Sequence, residues 1–259
     1  MTSSPWPGRI LLLPGAMAYA GPLGPTSPHQ HHAWQIVLAP DGIDLAGPAG
    51  PPQRFTAALI PADTVHTIAS PVADGRLLLL DPESDHHRRL PPALRGLRQD
   101  IHPLGPLEPG AIEALWTQPL SAAWVERLAL GAGSPAAAVG GVRHPGVRRV
   151  QRALPGRLAG GAVDLASLAA VAGLSEGRLA HVFRAQVGLP LRPYIRWLRM
   201  QRAVQGLGRG RTLTEAAHEA GFADASHLSR TFRRMFGLAP SDVAGRVEWI
   251  VPDEGLATP

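Results

Sequence analysis

The chain has 259 residues, of which 45% are apolar; this composition excludes wholesale disorder and leaves room for two domains. Its formal net charge is +5, and all 25 cationic side chains are arginine. The sequence contains no cysteine, which excludes disulfides, Cys-ligated zinc and thiol catalysis.

The charge is unevenly distributed along the chain. Residues 143–246 contain 17 arginines against 6 acids, whereas residues 1–142 contain 8 against 11, and the tail after Arg246 holds 3 acids. A basic segment next to a mildly acidic one is typical of a nucleic-acid-binding domain joined to a sensor domain. We therefore expect DNA binding that weakens steeply as salt rises.

Residues 1–8 are predicted to form a loose end, followed by an apolar run from Ile10 to Ala20. The run ends in Ala-Tyr-Ala, as a signal cleavage site does, but it is short and is broken by Pro14 and Gly15. We interpret it as an opening strand rather than a signal. No apolar run approaches the length of a membrane span, and we expect a cytoplasmic protein.

Short apolar runs separated by Pro, Gly and Asp follow as far as residue 81. Several short strands with turn signals between them predict a small β-sandwich or barrel. The predicted strands are Ile10–Leu13, Trp34–Ala39, Ile43–Ala46, Arg54–Ile60, Val65–Ala69 and Leu77–Leu80.

Two short motifs in this β region are similar to those of cupin barrels. The first is His29-Gln30-His31 followed by Gln35 and Gly42, with Gln at the usual Glu position; the second is Pro61-x-Asp63-x-x-His66, with Asp where Gly is typical. In metal cupins such residues converge on Fe, Mn, Ni or Zn. The resemblance implies a candidate divalent-metal site whose ligands are His29, His31, Gln35 and His66.

An alternative for the same residues is a pocket for an organic effector, because regulatory cupins often keep the barrel without the metal. Gln35 also brings no negative charge, so it is a weaker ligand than an acid. His32 is expected to point away from His31 if both lie on a strand. His86 and His87 follow the barrel and are predicted to be surface residues.

Residues 82–141 are predicted to connect two domains. Ala111–Trp116 and Leu120–Leu130 are expected to be helices with one apolar face. From spacing alone they are plain packing helices, whereas the family resemblance given below for the C-terminal residues implies a dimer contact or a bridge between the domains. The Gly/Ala-rich segment Gly131–Gly141 is the predicted linker. His144-Pro145 then begins a helix that we expect to end at Pro155, with its buried face on Val147, Val150 and Leu154.

An internal repeat covers residues 165–240. Leu165 to Leu174 align with Leu213 to Phe222, and after one extra residue Leu179, Phe183 and Gly188 align with Leu228, Phe232 and Gly237. In each copy a Gly ends one helix, at Gly173 or Gly221, and a Ser or Asp, at Ser175 or Asp224, caps the next. The pattern predicts two helix-turn-helix units, whose second helices enter the major groove of DNA.

The predicted second helices have one buried and one outward face. A turn of 100° per residue buries Leu179 and Phe183 in the first copy and Leu228, Phe232 and Met235 in the second. Between the copies, Pro193–Leu207 is predicted to be one helix with a stripe of Arg192, Arg196, Arg199 and Arg202, opposite Tyr194, Trp197, Leu198 and Val204. A solvated helix face is the alternative for this stripe.

Residues from about 142 to 245 resemble the DNA-binding domain of the AraC/XylS family of bacterial regulators. The second copy carries the Gly221-Phe222 turn, the run Ser229-x-x-Phe232-Arg-Arg and the ending Phe236-Gly237-x-x-Pro240. The resemblance implies two recognition helices joined by a rigid helix. Base contacts map onto Gly177, Ala180 and His181 in the first and onto Ala225, Ser226, Ser229 and Arg230 in the second. The outer faces and the arginine stripe add Ser175, Arg184, Arg196, Arg199 and Arg233.

The first predicted recognition helix departs from the family pattern. Its Gly177 and Ala180 are small residues where longer side chains would discriminate between bases, which leaves His181 as its best donor. The prolines of Leu189-Pro190-Leu191-Arg192-Pro193 are also displaced, which we expect only to move the start of the next helix.

The sequence therefore predicts an α+β two-domain protein. The predicted limits are 1–95 for a cupin-like sensor domain, 96–141 for a helical bridge and linker, 142–246 for an all-α double helix-turn-helix domain, and 247–259 for a tail. We expect a sequence-specific transcriptional regulator, not an enzyme, that binds promoter DNA and a small-molecule effector or metal, with RNA polymerase and a second copy as further partners. The alternatives are a metal-dependent cupin enzyme with an appended DNA-binding domain and a non-specific architectural DNA binder.

Overall fold

The computed structural model describes residues 6–48, 50–104, 115–131, 143–159 and 163–252. Contacts within these residues form two compact units. The first contains the described residues up to 131 together with residues 229–252, and the second contains the described residues from 143 to 228.

Part of the predicted connection between the domains lies outside the described residues. The helix predicted at Ala111–Trp116 is described only from Leu115, and nearly all of the predicted linker Gly131–Gly141 is outside. The predicted domain limits therefore stay a prediction.

A sheet forms the first unit. Its strands are β1 (Arg9–Leu13), β2 (Ala16–Leu23), β3 (Trp34–Ala46), β4 (Gln53–Ile60), β5 (Thr67–Ile68), β6 (Val72–Leu80), β7 (His102–Pro103) and β8 (Glu248–Ile250). Across the described part of the sheet the order is β7-β4-β3-β6-β2-β1-β8, and β5 pairs with β3. The pairs are antiparallel except β1 with β8.

The predicted opening strand Ile10–Leu13 is confirmed as β1, but the rest of the apolar run to Ala20 belongs to a second strand, β2, which was missed. The chain turns back between them at Pro14 and Gly15. Gly15 has φ +71°, a left-handed conformation that costs glycine little. The result is a hairpin of β1 and β2, with Leu13 opposite Ala16.

The two strands predicted at Trp34–Ala39 and Ile43–Ala46 are one continuous strand, β3. Leu38 pairs with Ala57 and Ile43 with Phe55, so β3 holds more residues than β4 between these pairs. This bulge absorbs the Pro-Asp-Gly that was expected to end the strand.

The remaining strands differ from prediction mainly in length. β5 is only two residues long, and β6 begins at Val72 rather than at Leu77. β7 and β8 were missed, because strands of two or three residues carry almost no periodic signal. β8 comes from the apolar fragment near the C-terminus, and its Glu248 N–H donates to the carbonyl of Gly8 at 2.8 Å.

One face of β3 packs into the main core of the first unit. Trp34, Ile36 and Leu38 are buried there against Trp124 and Leu128. Helices among the described residues of this unit include α1 (Asp85–Arg89), α2 (Pro92–Arg95) and α3 (Ala122–Gly131). Because side chains alternate across a strand, Gln35 lies on the opposite face of β3.

Helices build the second unit. They are α4 (Pro145–Ala159), α5 (Leu165–Ala172), α6 (Glu176–Val187), α7 (Leu191–Gly208), α8 (Leu213–Glu219) and the start of α9 (Ala225–Phe236). The predicted buried face of α4, on Val147, Val150 and Leu154, is confirmed. In the described part of the chain no helix is both long and apolar enough to span a membrane.

The predicted end of α4 at Pro155 is wrong, since the helix continues to Ala159 with Pro155 inside it. Proline there removes one backbone N–H donor, at a typical cost of about 3 kcal/mol. Burial of Leu154 and Leu158, on either side of the proline, offsets this cost and holds the last turn. Helix α7 likewise begins two residues before the predicted Pro193, with Pro190 as its N-cap.

Candidate DNA-binding surfaces and a buried histidine cluster

The turn between α5 and α6 is formed as the sequence predicts. Gly173 ends α5 with φ +63°, and its N–H bonds back to carbonyls of α5. Ser175 caps α6, its hydroxyl accepting from the Arg178 N–H at 3.3 Å. The Ser175 side chain, predicted to contact DNA, therefore also holds the start of the helix.

The second helix pair has the same kinds of helix cap and glycine turn. Thr212 and Glu215 form a reciprocal capping box at the start of α8. Gly221 follows the helix with φ +79°, and the Asp224 carboxylate accepts from the His227 N–H at 2.6 Å at the start of α9. The repeat in the sequence is thus a repeat in backbone geometry.

Helix α6 has the predicted division between its faces. Leu179 and Phe183 are fully buried. Val182, which was not among the residues predicted to be buried, is mostly buried as well. The residues predicted to face DNA are exposed, and they are Gly177, Ala180, His181 and Arg184. A histidine and an arginine donor on an otherwise small-residue face can reach hydrogen-bond acceptors on DNA.

Helix α9 presents a more basic face. Ser226, Arg230 and Arg233 are exposed, while Ala225 and Ser229 are half-buried. Leu228 and Phe232 are buried as predicted, whereas Met235 is only half-buried. Thr231 is buried and was missed, because polar residues give no hydrophobic signal.

The arginine stripe on α7 is not uniformly exposed. Arg192 and Arg196 are exposed, but Arg199 and Arg202 are half-buried. The Nε of Arg199 is buried, has no hydrogen-bond partner in the described residues, and lies 3.2 Å from where a Cβ on Gly221 would stand. Arg199 therefore packs against the turn of the second helix pair, and the solvated-face alternative does not account for it.

A cluster of three buried histidines lies in the first unit. His29 and His31 come from the segment before β3, and His66 from the segment before β5. The backbones of His29 and His66 pair through two N–H···O bonds of 3.0 and 2.9 Å. One ring nitrogen from each residue lies within 4.8 Å of the other two, which is the arrangement of groups that can hold a metal ion.

Backbone carbonyls orient all three rings in the same way. The Nδ1 atoms lie 2.8 Å from the Ser27 carbonyl for His29, 3.1 Å from Ala33 for His31, and 2.9 Å from Thr64 for His66. A carbonyl can only accept, so each Nδ1 carries the proton and each Nε2 of a neutral ring keeps its lone pair. Metal-ligating histidines are commonly oriented by such bonds.

The Nε2 atoms have different surroundings. The Nε2 of His66 is buried with no hydrogen-bond partner in the described structure, which is costly for a polar group. The Nε2 of His31 lies 2.9 Å from the amide of Gln35, which is buried on β3. The amide atom at this distance is Oε1, which can only accept. With the proton of a neutral His31 ring on Nδ1, rotation of the amide exchanges Oε1 for the NH₂, which then donates to Nε2.

Burial keeps the cluster neutral. Desolvation lowers the pKa of His29 to about 4, with a smaller lowering from His31, and it lowers the pKa of His31. The pKa of His66 is held well below its usual range by burial and then by His29 and His31. Neutral imidazoles are the form that binds metal ions.

Other histidines and the one acid in the two motifs do not join the cluster. The Asp63 carboxylate binds His32 Nδ1 at 2.8 Å. The prediction that His86 and His87 are surface residues is wrong: both are half-buried, and His87 lies against the Trp34 ring with centroids 5.1 Å apart.

Comparisons with known proteins match the C-terminal part of the chain. A family profile described as a helix-turn-helix domain matches residues 168–246. An AraC-like transcription regulator from Streptomyces lividans is 40% identical over 80 residues, which are 30% of this chain and 26% of that protein. The transcriptional regulator LumQ of Photobacterium leiognathi is 30% identical over 80 residues, 30% of this chain and 32% of LumQ. The chain thus matches about a third or less of these relatives' length.

Solved structures resemble more of the chain. Apo ToxT from Vibrio cholerae has a TM-score of 0.60 at 12% identity, covering 88% of this chain and 96% of ToxT. ToxT with a bound unsaturated fatty acid has a TM-score of 0.58 at 10% identity, covering 92% and 98%. At this identity the likeness shows a shared fold, a mixed α/β chain with a helical C-terminal region.

Proposed function

The chain carries a helix-turn-helix domain of the AraC type at residues 168–246, and from this premise we propose that it is a sequence-specific DNA-binding transcriptional regulator. The observation that carries the proposal is this domain, in which capped, glycine-terminated helix pairs repeat and present exposed arginines. Promoter DNA is the partner, with RNA polymerase and a second copy of the chain as further partners.

In this proposal the chain has two helix-turn-helix units, and α6 and α9 are their recognition helices. Arg230 and His181 read bases, because each is exposed on the outward face of its helix and carries hydrogen-bond donors. Arg184, Arg196 and Arg233 bind phosphates and set the register. Arg199 holds the Gly221 turn on α7, which positions α9.

We also propose that the sheet unit is a cupin-like sensor domain. ToxT has been solved with an unsaturated fatty acid bound, which supports effector binding by a chain of this fold. Here the buried group is polar, since His29, His31 and His66 converge beside Gln35. The effector is therefore a divalent metal ion or a small molecule that bonds to imidazole nitrogens.

An enzymatic role is not supported by the histidine cluster. Catalysis at such a site needs an acid or base near the reacting atoms, and Asp63 is already bonded to His32. The relatives matched are transcriptional regulators.

Selection of genomic DNA fragments by the purified full-length protein tests this function. We expect a common motif of two boxes about one helical turn apart, since two recognition helices would lie in successive major grooves. Binding to random duplex with equal affinity would favour the architectural alternative and contradict the proposal.

The selection should be repeated with a chelator. A motif that changes or weakens with chelator indicates a metal effector, whereas an unchanged motif indicates an organic one. The variant His66→Ala, without chelator, should reproduce the effect of the chelator in the first case.

A further inference from the structure

The end of α9 lies against the histidine cluster, within the first compact unit. Ser27 makes two bonds: its N–H donates to the Gly237 carbonyl at 2.9 Å, and its own carbonyl accepts from His29 Nδ1 at 2.8 Å. One residue therefore connects a histidine ring to the residue that ends α9.

Packing at Gly237 leaves no room between the helix end and the cluster. Gly237 has φ +71°, and a Cβ placed on it would stand 2.6 Å from His29 Nδ1 and 2.9 Å from the Cβ of Thr26. The Phe236 ring lies 5.8 Å from the His31 ring and 4.7 Å from Phe232. His29 and His31 thus both lie directly against the end of α9.

The nitrogens of the cluster lie near the spacing that a bound metal ion requires. Zinc–nitrogen bonds of about 2.0–2.1 Å place tetrahedral ligands roughly 3.4 Å apart. The nitrogens of His29, His31 and His66 all lie within 4.8 Å of one another, and a bound ion fixes their spacing at the value that its bonds require. An ion that fixes His29 therefore also fixes Ser27, which is bonded to both His29 and Gly237.

The donor set selects the class of ion. Three neutral imidazoles suit Zn²⁺, Co²⁺, Ni²⁺, Cu²⁺ and Fe²⁺, whereas Mg²⁺ and Ca²⁺ require oxygen ligands. Asp63 is held by His32, so the cluster offers no carboxylate. His66 is only 1% exposed, and its Nε2, which has no hydrogen-bond partner among the described residues, gains one when an ion binds.

We propose that a first-row transition-metal ion bound by His29, His31 and His66 controls the C-terminal end of α9 through Ser27, Phe236 and Gly237. This inference rests on the proposed function for its effect on DNA, because α9 is there a recognition helix. Coupling of two binding sites is reciprocal, so the factor by which metal changes DNA affinity equals the factor by which DNA changes metal affinity.

The first measurement is metal binding and its effect on α9, without DNA. Full-length protein freed of metal is titrated with Co²⁺, and its visible absorption should report one bound ion, which His66→Ala abolishes. Hydrogen exchange with and without Zn²⁺ should then slow at the amides of residues 229–237. Binding without any change in exchange at α9 overturns the proposal, as does the absence of binding.

The second measurement uses the DNA fragment obtained by selection. Zn²⁺ should change its dissociation constant about fivefold or more in wild type. In Gly237→Ala, Zn²⁺ should no longer change the dissociation constant, because the added Cβ separates the helix end from His29. Gly188→Ala is the matched control, in which Zn²⁺ should still change the dissociation constant. Gly188 also ends a helix, α6, with φ +83°, but a Cβ there meets nothing within 4 Å.

Other outcomes separate the proposal of metal control from the proposal of a DNA-binding regulator. If Gly237→Ala fails to fold, Phe236→Leu takes its place, because it removes the ring contact with His31. If exchange at α9 responds to Zn²⁺ but no DNA sequence is preferred, the regulator proposal fails and the metal-controlled helix end stands. An equal dissociation constant with and without Zn²⁺ overturns the coupling to DNA.

Discussion

At the scale of single residues, the proposed function assigns base reading mainly to His181 and Arg230. Both are exposed on outward helix faces, and His181 is flanked on its face by Gly177 and Ala180, which have no hydrogen-bonding side chains. Most of the discrimination between bases by α6 is therefore assigned to the ring of His181.

The variants His181→Ala and Arg230→Ala test this assignment. Each should lose about 1–3 kcal/mol of discrimination between the selected site and random duplex, because a base-edge hydrogen bond is removed. Competition binding measures the ratio of the two affinities. Arg148→Ala, an exposed arginine on α4, is the control and should leave the ratio unchanged. An unchanged ratio in the first two variants means that these residues bind only the backbone.

His87 makes stability depend on pH. Burial, and next the charge of Arg95, lower its pKa to about 4 in the folded state, compared with about 6.5 when unfolded. Its contribution to the free energy of unfolding is therefore complete above pH 6.5 and is lost as the pH falls towards 4. The buried histidines of the cluster act in the same direction.

Between pH 6.5 and 4, the free energy of unfolding should fall less in His87→Gln than in wild type, by at most about 3 kcal/mol. Urea unfolding of wild type and variant across this range measures it, and the difference at pH 8 serves as the reference for the cost of the substitution itself. Parallel curves for the two proteins would contradict the assignment of His87.

At the scale of elements, left-handed glycines define both helix pairs. Gly221 has φ +79°, a conformation that costs an alanine about 1–2 kcal/mol. Gly156 lies inside α4 with open space around it, so alanine there should instead stabilise the helix by about 0.5–1 kcal/mol.

Gly221→Ala and Gly156→Ala should therefore change stability in opposite directions. Thermal or chemical unfolding of each variant measures the free energy of unfolding. An equal change in the free energy of unfolding in both variants would contradict this assignment, because the left-handed backbone of Gly221 would then carry no cost of its own.

At the scale of the whole molecule, charge is separated along the sequence. Residues 143–246 carry a net +11, whereas the rest of the chain is acidic. Attraction to DNA phosphates releases counterions, and log K falls with log salt by about 0.9 for each phosphate neutralised.

The salt dependence of DNA binding should therefore be steep, and Arg196→Ala should reduce its slope by about one unit. Fluorescence anisotropy at salt concentrations from about 50 to 200 mM measures this slope. Arg88→Ala, an exposed arginine on α1 that pairs with Asp85, is the control and should leave the slope unchanged. A slope near zero in wild type would contradict phosphate binding by the basic segment.

The sequence by itself determined the helix pairs, because their signals are local. Gly173, Ser175 and Asp224 act within one turn of the chain, so the types of residue and their spacing were sufficient. The outward faces of α6 and α9 followed from helical periodicity for the same reason.

The sequence also named the residues of the histidine cluster, through short motifs rather than through geometry. It did not contain the burial of the cluster or the unpartnered Nε2 of His66, since these depend on how His66 meets the distant segment of His29 and His31. The shared Nδ1 orientation was also missed, because bonds to carbonyls two residues away depend on the backbone conformation of each segment.

Only the tertiary structure decided the features that depend on distant contacts. Pro155 stays inside α4 because Leu154 and Leu158 are buried, and β8 forms because it pairs with β1, more than 230 residues away. The contact of Gly237 with Ser27 and His29 joins residues about 210 apart. Local propensity is weak compared with such packing, so it fixes how each helix begins and ends but not which distant segment lies against it.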